Sequence, residues 1–331
     1  MQVWHDVSEI GAGFGPSVVT IGNFDGVHLG HQHVLSRAHE LAAEGFGLPV
    51  VAVTFDPHPM SVVAPDRAPQ ALLPSERRNE LLAEAGVDAV LVLTFTHELA
   101  QVSAEDFVTA YLFGALNAGA IVVGENFRYG HRAQGDVSLL RRMGDEHNVR
   151  VQGLALDGRS GAGGQVWSST YIRRCLAEGD VAAAAEALGR PFTIRGHVVR
   201  GEQRGRELGF PTANVPVATS VTAVPADGVY AGWLRRLDAD DVADGAYLPA
   251  AISVGTNPTF DGTDRRVESY VLDRTDLELY DVLVEVAFVE RLRGMVKFDA
   301  VDALIAQMDG DMAQARTILA TPAGAPPPVL S

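Results

Sequence analysis

The feature that most constrains this chain is a change of rhythm near residue 190. Before it, apolar runs at 17–21, 49–55, 89–95, 120–124 and 150–155 alternate with helical patterns over 31–44, 75–85, 103–117 and about 136–146. Strands that recur with a helix between each pair form βαβ units, which predicts a doubly wound parallel sheet. Ser75 is placed to cap the second helix, and Ser103 with Asp106 opens the third in a variant of the capping box. Past Leu188-Gly189-Arg190-Pro191 the helices stop. Strand candidates at 192–199, 229–237, 247–253, 267–272 and 282–289 follow one another across Gly- and Pro-marked gaps, and a helix over 301–319 closes the series. That pattern predicts a small antiparallel β-barrel with a terminal helix. The expected domains are therefore 1–186, α/β, and 187–331, all-β with one helix.

Charge narrows the partners. The 331 residues carry 26 Lys and Arg against 42 Asp and Glu, a net charge of -16. A phosphodiester polymer is held through released counterions, so nucleic acid is excluded as the main partner, whereas backbone amides and one or two Arg suffice for a small polyphosphate. One cysteine, Cys175, cannot form an internal disulfide, which fits a reducing compartment. The first residues show no basic segment leading into an apolar run, and no stretch reaches eighteen apolar residues. The expectation is a cytoplasmic protein with no membrane contact, and a homo-oligomer stays open.

The strongest local signal is Gly22-Asn23-Phe24-Asp25-Gly26-Val27-His28-Leu29-Gly30-His31, between the first strand and the first helix. Its glycines let backbone approach phosphate oxygens, and the helix that follows aims free N–H groups at them. His28 and His31, three apart, share one side of the first turn and can donate to a phosphate whose charge grows during displacement. The string resembles the HxGH signature of the nucleotidyltransferase superfamily. Ser168-Ser169-Thr170-Tyr171-Ile172-Arg173 resembles that superfamily's second ATP-binding motif, with Arg173 implied at the triphosphate. Two segments follow strand ends: Thr54-Phe55-Asp56-Pro57-His58-Pro59 and Gly124-Glu125-Asn126-Phe127-Arg128-Tyr129-Gly130. Their aromatic rings can pack on a flat heterocycle, and Asn126 offers a donor and an acceptor to its edge. Together the four segments resemble the FMN adenylyltransferase module of bacterial FAD synthetases. The resemblance implies ATP at Gly22, Phe24, Asp25, Gly30, Ser168, Ser169, Thr170 and Arg173, and flavin at Phe55, His58, Pro59, Asn126 and Phe127.

The second half holds its own glycine run. Gly201, Gly205 and Gly209 recur every four residues, as in a loop over a nucleotide, and Pro211-Thr212-Ala213-Asn214 follows. In an extended segment Thr212 and Asn214 face the same side and offer oxygens to Mg²⁺ carried by ATP. Glu268 alternates with Val267 and Ser269 and shares a face with Tyr270. A carboxylate there can take a hydroxyl proton during phosphoryl transfer. Segments 201–214, 251–260, 267–273 and 293–299 resemble the riboflavin kinase module. The resemblance implies Mg-ATP at Thr212 and Asn214, the three glycines over the nucleotide, Glu268 as catalytic base, and Arg293 and Met295 near the flavin.

The whole pattern, over about residues 15–320, resembles the prokaryotic bifunctional riboflavin kinase/FAD synthetase family. Trp167 departs from the aliphatic residue expected before Ser168. The implied activities use ATP with Mg²⁺ to convert riboflavin to FMN and FMN to FAD. The alternative is a nucleotidyltransferase for another phosphorylated acceptor with a non-catalytic barrel.

Overall fold

The computed structural model describes residues 1–44, 47–155, 166–200, 210–238, 246–259, 262–274 and 276–327. It divides into two compact units, Met1–Ser169 and Thr170–Ser331.

The first unit is a six-stranded sheet of parallel pairs. Its elements are β1 (Gln2–Trp4), β2 (Ser17–Ile21), α1 (Leu29–Glu44), β3 (Val50–Asp56), α2 (Pro59–Val63), α3 (Ser75–Glu84), β4 (Ala89–Thr94), α4 (Ala104–Phe107), β5 (Ala118–Gly124), α5 (Val137–His147) and β6 (Arg150–Leu154). Every residue of β2 and the first five of β3 and β4 are buried, as the continuous apolar runs require of strands covered on both faces. Alternate residues serve opposite cores. Val18, Val50 and Val122 pack against Val34, Ala38 and Leu41 of α1, while Val19, Val53, Leu91 and Ile121 join Phe107, Leu112 and Leu140 on the other side. The order β1-β4-β3-β2-β5-β6 means that the chain steps one way from β2 to β3 and the other way to β5. A ligand cleft in such a sheet opens at that reversal, outside the carboxyl end of β2.

Two local expectations change. Helix α3 starts one residue early: Pro74 is its N-cap and Ser75 its first residue, and the Ser75 hydroxyl donates to Asp56 Oδ2 (2.6 Å) instead of capping. The third helix keeps Ser103 as its cap, accepting from Asp106 N, but after Phe107 it widens into a π-helical stretch, Val108–Ala115. The three-residue β1 left no signature in the sequence pattern.

The second unit contains α6 (Ser169–Glu178, whose first residue belongs to the first unit), α7 (Val181–Leu188), β7 (Phe192–His197), β8 (Ala213–Val217), β9 (Gly228–Arg236), β10 (Leu248–Thr259), β11 (Gly262–Val271), β12 (Leu283–Arg293) and α8 (Val301–Leu319). All its strand pairings are antiparallel, in the order β7-β12-β9-β10-β11-β8. A bridge between Val199 and Asn214, with the Val199 amide donating to the Asn214 carbonyl (2.8 Å), nearly closes the barrel. Ile194, Val215, Tyr230, Ile252, Val267, Val286 and Phe288 are buried on one face of these strands. On the other, Met312, Ala315 and Leu319 of α8 pack with Ala231, Trp233, Ala251 and Tyr270.

Candidate active sites

In the first unit the histidine string leaves β2 at the sheet's reversal point. Its backbone is held in the left-handed region at Phe24 (φ 48), Gly26 (φ 86) and Val27 (φ 39). Non-glycine residues pay for that conformation only where packing fixes them, and Phe24 and Val27 are 2% and 1% exposed. His28, 4% exposed, stacks on His31 with ring centroids 3.6 Å apart, and Phe24 packs edge-on to His31. The His31 amide donates to His28 Nδ1 (3.4 Å), so a neutral His28 ring carries its proton on Nε2. Gly30 makes room for this: a Cβ there would lie 3.0 Å from His28 Cε1, 3.1 Å from Nδ1 and 3.4 Å from the Trp167 carbonyl.

Asp25 is held through both its side chain and its backbone. Its carboxylate accepts from the Leu72 amide (2.9 and 3.2 Å), which anchors the segment before α3, while its carbonyl accepts from the Ser169 hydroxyl (2.8 Å). That contact ties Ser169, the last residue of the first unit, to the histidine string. Ser168 precedes the helix, Thr170 follows Ser169, and Arg173 lies one turn further along it.

A cavity of about 640 Å³ opens beside the string, within the size range of small-molecule sites. Gly22, Asn23, Phe55, Pro59, Phe127 and Tyr129 are among its lining residues. Phe127 and Tyr129 stack with their planes 12° apart, and Phe55 meets Phe95 edge-on. Burial raises the Tyr129 phenol far above its ordinary range, so it stays neutral. Asn126 is exposed on its loop and is not among the lining residues, and His58 caps α2 through its Nδ1 while its Nε2 meets the Asn23 amide (3.1 Å).

Sequence reasoning missed Asn23 and Arg78. Arg78, 9% exposed, donates to the carbonyls of Phe55 (3.1 Å) and Asn23 (3.4 Å) and fastens the end of β3 to the loop after β2. Burial lowers its pKa, against the pull of Asp56, Asp25 and Glu76. Nothing marked it, since an arginine on an amphipathic helix ordinarily reads as solvated.

In the second unit the register does the work. Glu268 on β11 is the direct cross-strand partner of Asn214 on β8, so their side chains share a face. Asn214 is 7% exposed, and its amide nitrogen donates to the Thr212 carbonyl (3.1 Å) and hydroxyl (3.3 Å). The Thr212 and Asn214 oxygens are hard donors of the kind a magnesium ion takes, and they fit one delivered with phosphates. No cluster of three His, Cys, Asp or Glu that could hold a metal by itself occurs among the described residues. Gly201, Gly205 and Gly209 lie outside the described residues. Arg293 is clasped by Asp311 of α8 (2.7 to 3.0 Å), and Met295 is 55% exposed, its methyl 3.5 Å from where a Cβ on Gly255 would stand.

Two candidate sites on separate folded units fit a bifunctional nucleotide-dependent transferase. The FAD synthetase family profile matches residues 13–169 and the riboflavin kinase profile residues 188–319. The chain is 36% identical over 299 residues to the bifunctional riboflavin kinase/FMN adenylyltransferase of Escherichia coli K12, covering 90% of this chain and 91% of that one. It is 35% identical to the protein of the same name from Listeria monocytogenes, covering 96% and 94%. A solved structure described as a macrolide-efflux protein of Streptococcus pneumoniae superposes with a TM-score of 0.80 at 31% identity, covering 95% and 98%. No described helix here is long and apolar enough to cross a membrane. The chain belongs to the bifunctional riboflavin kinase/FMN adenylyltransferase family.

Proposed function

We infer that this chain makes FMN from riboflavin and ATP in its second unit and FAD from FMN and ATP in its first. The observation that carries the reading is the pairing of Asn214 with Glu268 across β8 and β11. A barrel kept only as an appendage would have no use for a carboxylate facing a buried amide beside Thr212.

In the kinase reaction the riboflavin 5′-hydroxyl oxygen bonds to the γ-phosphorus of ATP, the bond to the β–γ bridging oxygen breaks, and ADP leaves. Glu268 takes the hydroxyl proton. Thr212 and Asn214 hold the phosphate end of the nucleotide. Magnesium, when bound, supplies charge neutralisation to the triphosphate. Met295 borders the flavin. Arg293 acts there through its clasp on Asp311.

In the adenylyltransferase reaction an FMN phosphate oxygen bonds to the α-phosphorus of ATP, and pyrophosphate leaves. His28 and His31 stand at the helix start, where donated hydrogen bonds meet the charge that grows on the α-phosphate. Ser168, Ser169, Thr170 and Arg173 hold the triphosphate, and Gly22, Phe24 and Gly30 shape the loop around it. The flavin lies in the aromatic cavity between Phe55, Pro59 and Phe127, with His58 and Asn126 at its rim. Asp25 serves this site through the loop it anchors. The reading places the enzyme in the cytoplasm with small molecules as its partners. A time course with riboflavin, ATP and Mg²⁺ tests it: FMN appears first and FAD follows, whereas FAD from supplied FMN but no FMN from riboflavin would favour the passive barrel.

A further inference from the structure

Most described arginines of the second unit are committed to a partner. Arg195 and Arg235 hold Glu285, Arg265 holds Asp227, Arg274 holds Asp276, Arg293 holds Asp311 and Arg316 holds Asp273. Arg291 donates to the carbonyls of Glu178 and Asp227. Arg266 is different. It is half-buried, its Nε is shut off from solvent, and no hydrogen bond or ion pair to its guanidinium occurs among the described residues. In a chain of net charge -16, a partly buried cation that makes no ion pair among the described residues calls for a reason.

Its position supplies one. Arg266 and Glu268 are two apart on β11, so both side chains leave the same face, about 7 Å apart along the strand. The cross-strand neighbours of Arg266 are Pro216 on β8 and Gly255 on β10, neither of which brings a polar side chain. Asn214, two pairs further along β8, stands opposite Glu268 on that face. The row therefore runs cation, then carboxylate with amide, with apolar or absent side chains flanking the cation.

We propose that Arg266 is a further catalytic residue of the kinase site, its guanidinium meeting the phosphoryl group as it passes from ATP to riboflavin. The inference rests on the kinase reading of this unit. As the 5′-oxygen bonds to the γ-phosphorus and the bond to the bridging oxygen breaks, negative charge gathers on the peripheral oxygens and on the departing ADP, while the proton goes to Glu268. A carboxylate base alone would set a negative charge against that group. A planar guanidinium on the same face offsets the repulsion and can contact two phosphoryl oxygens at once.

The test uses the full chain with Arg266→Met, Arg266→Lys and Arg266→Ala. FMN formation gives kcat and the riboflavin KM, calorimetry with Mg-ADP gives nucleotide affinity, and FAD formation from supplied FMN reports on the other unit. The expected result for Arg266→Met is a kcat lowered about 100-fold or more with riboflavin KM within about twofold. Arg266→Lys recovers part of that loss, guanidinium added to Arg266→Ala restores turnover, and FAD formation is unchanged. A kcat for Arg266→Met within about twofold of the parent overturns the proposal, as does a loss matched by a lower melting temperature that neither lysine nor guanidinium relieves. Should Arg266→Met not fold, a folded Arg266→Lys with full kcat and full Mg-ADP affinity overturns it equally. A parent chain that makes no FMN refutes the kinase reading itself, which is a separate result.

Discussion

The two units solve the same problem, holding a triphosphate beside a flavin, by opposite means. In the parallel sheet, the proposed catalytic groups sit at the loop and helix start past a strand end, a segment fixed by strained backbone at Phe24 and Val27, the Asp25 anchor on Leu72 and the Arg78 clasp on two carbonyls. In the barrel they stand on the strands, and the antiparallel register alone sets Glu268 against Asn214. Loop sites keep their residues contiguous in sequence and need buried scaffolding. Strand sites need little scaffolding, but their residues lie far apart along the chain.

The sharpest break of this comparison removes one site at a time. Replacing His28 and His31 together by alanine should lower FAD formation by about 10³-fold or more, since removing one such donor alone costs about 10²–10³, and should leave FMN formation from riboflavin at its parent rate. Parallel loss of both rates in a product assay would contradict independent sites. Glu268→Gln is the mirror case: FMN formation falls by about 10²–10⁴-fold while FAD formation from supplied FMN persists.

Gly30→Ala tests how much the loop site depends on its scaffolding. The added methyl meets the His28 ring and the Trp167 carbonyl at 3.0 to 3.4 Å, so the ring must shift, and FAD formation should drop about tenfold with FMN formation untouched. An unchanged FAD rate would mean that the stack of His28 on His31 is not needed.

The smallest effect on activity comes from Glu285 in the barrel. It is fully buried between Arg195 and Arg235 and accepts from the Tyr247 hydroxyl. Burial raises its pKa, but Arg195, Tyr247 and Arg235 together outweigh that, and the net shift is downward from 4.5. A lowered folded-state value contributes stability that is present above the unfolded value and lost as pH falls through the folded one. Glu285→Gln should therefore lower the melting temperature of the second unit at neutral pH, and the gap to the parent should close below about pH 4.5. A gap that stays constant in acid would show that packing, not charge, holds this carboxylate.

What could be read from the sequence follows the same contrast. The string from Gly22 to His31 and the segment before α6 were readable because each site is nearly continuous there, and strand and helix types in both halves follow from their periodicity. Arg78 was invisible because its role depends on which loops α3 happens to cover. Asp25 sits inside the motif but turns its carboxylate to Leu72, a contact set by tertiary packing. Strand β8 was obscured by Pro216, tolerable because this strand is an edge in the hydrogen-bonded order. The facing of Asn214 and Glu268 needed the register, which no local pattern contains.

The most direct measurement mixes the two crippled proteins. Equal amounts of the His28→Ala/His31→Ala and Glu268→Gln chains, given riboflavin and Mg-ATP, should make FAD together far faster than either does alone, because FMN released by one barrel feeds the other chain's parallel-sheet site. A mixture that yields no FAD, while each chain keeps its own remaining activity, would contradict two self-sufficient sites joined by a diffusing product.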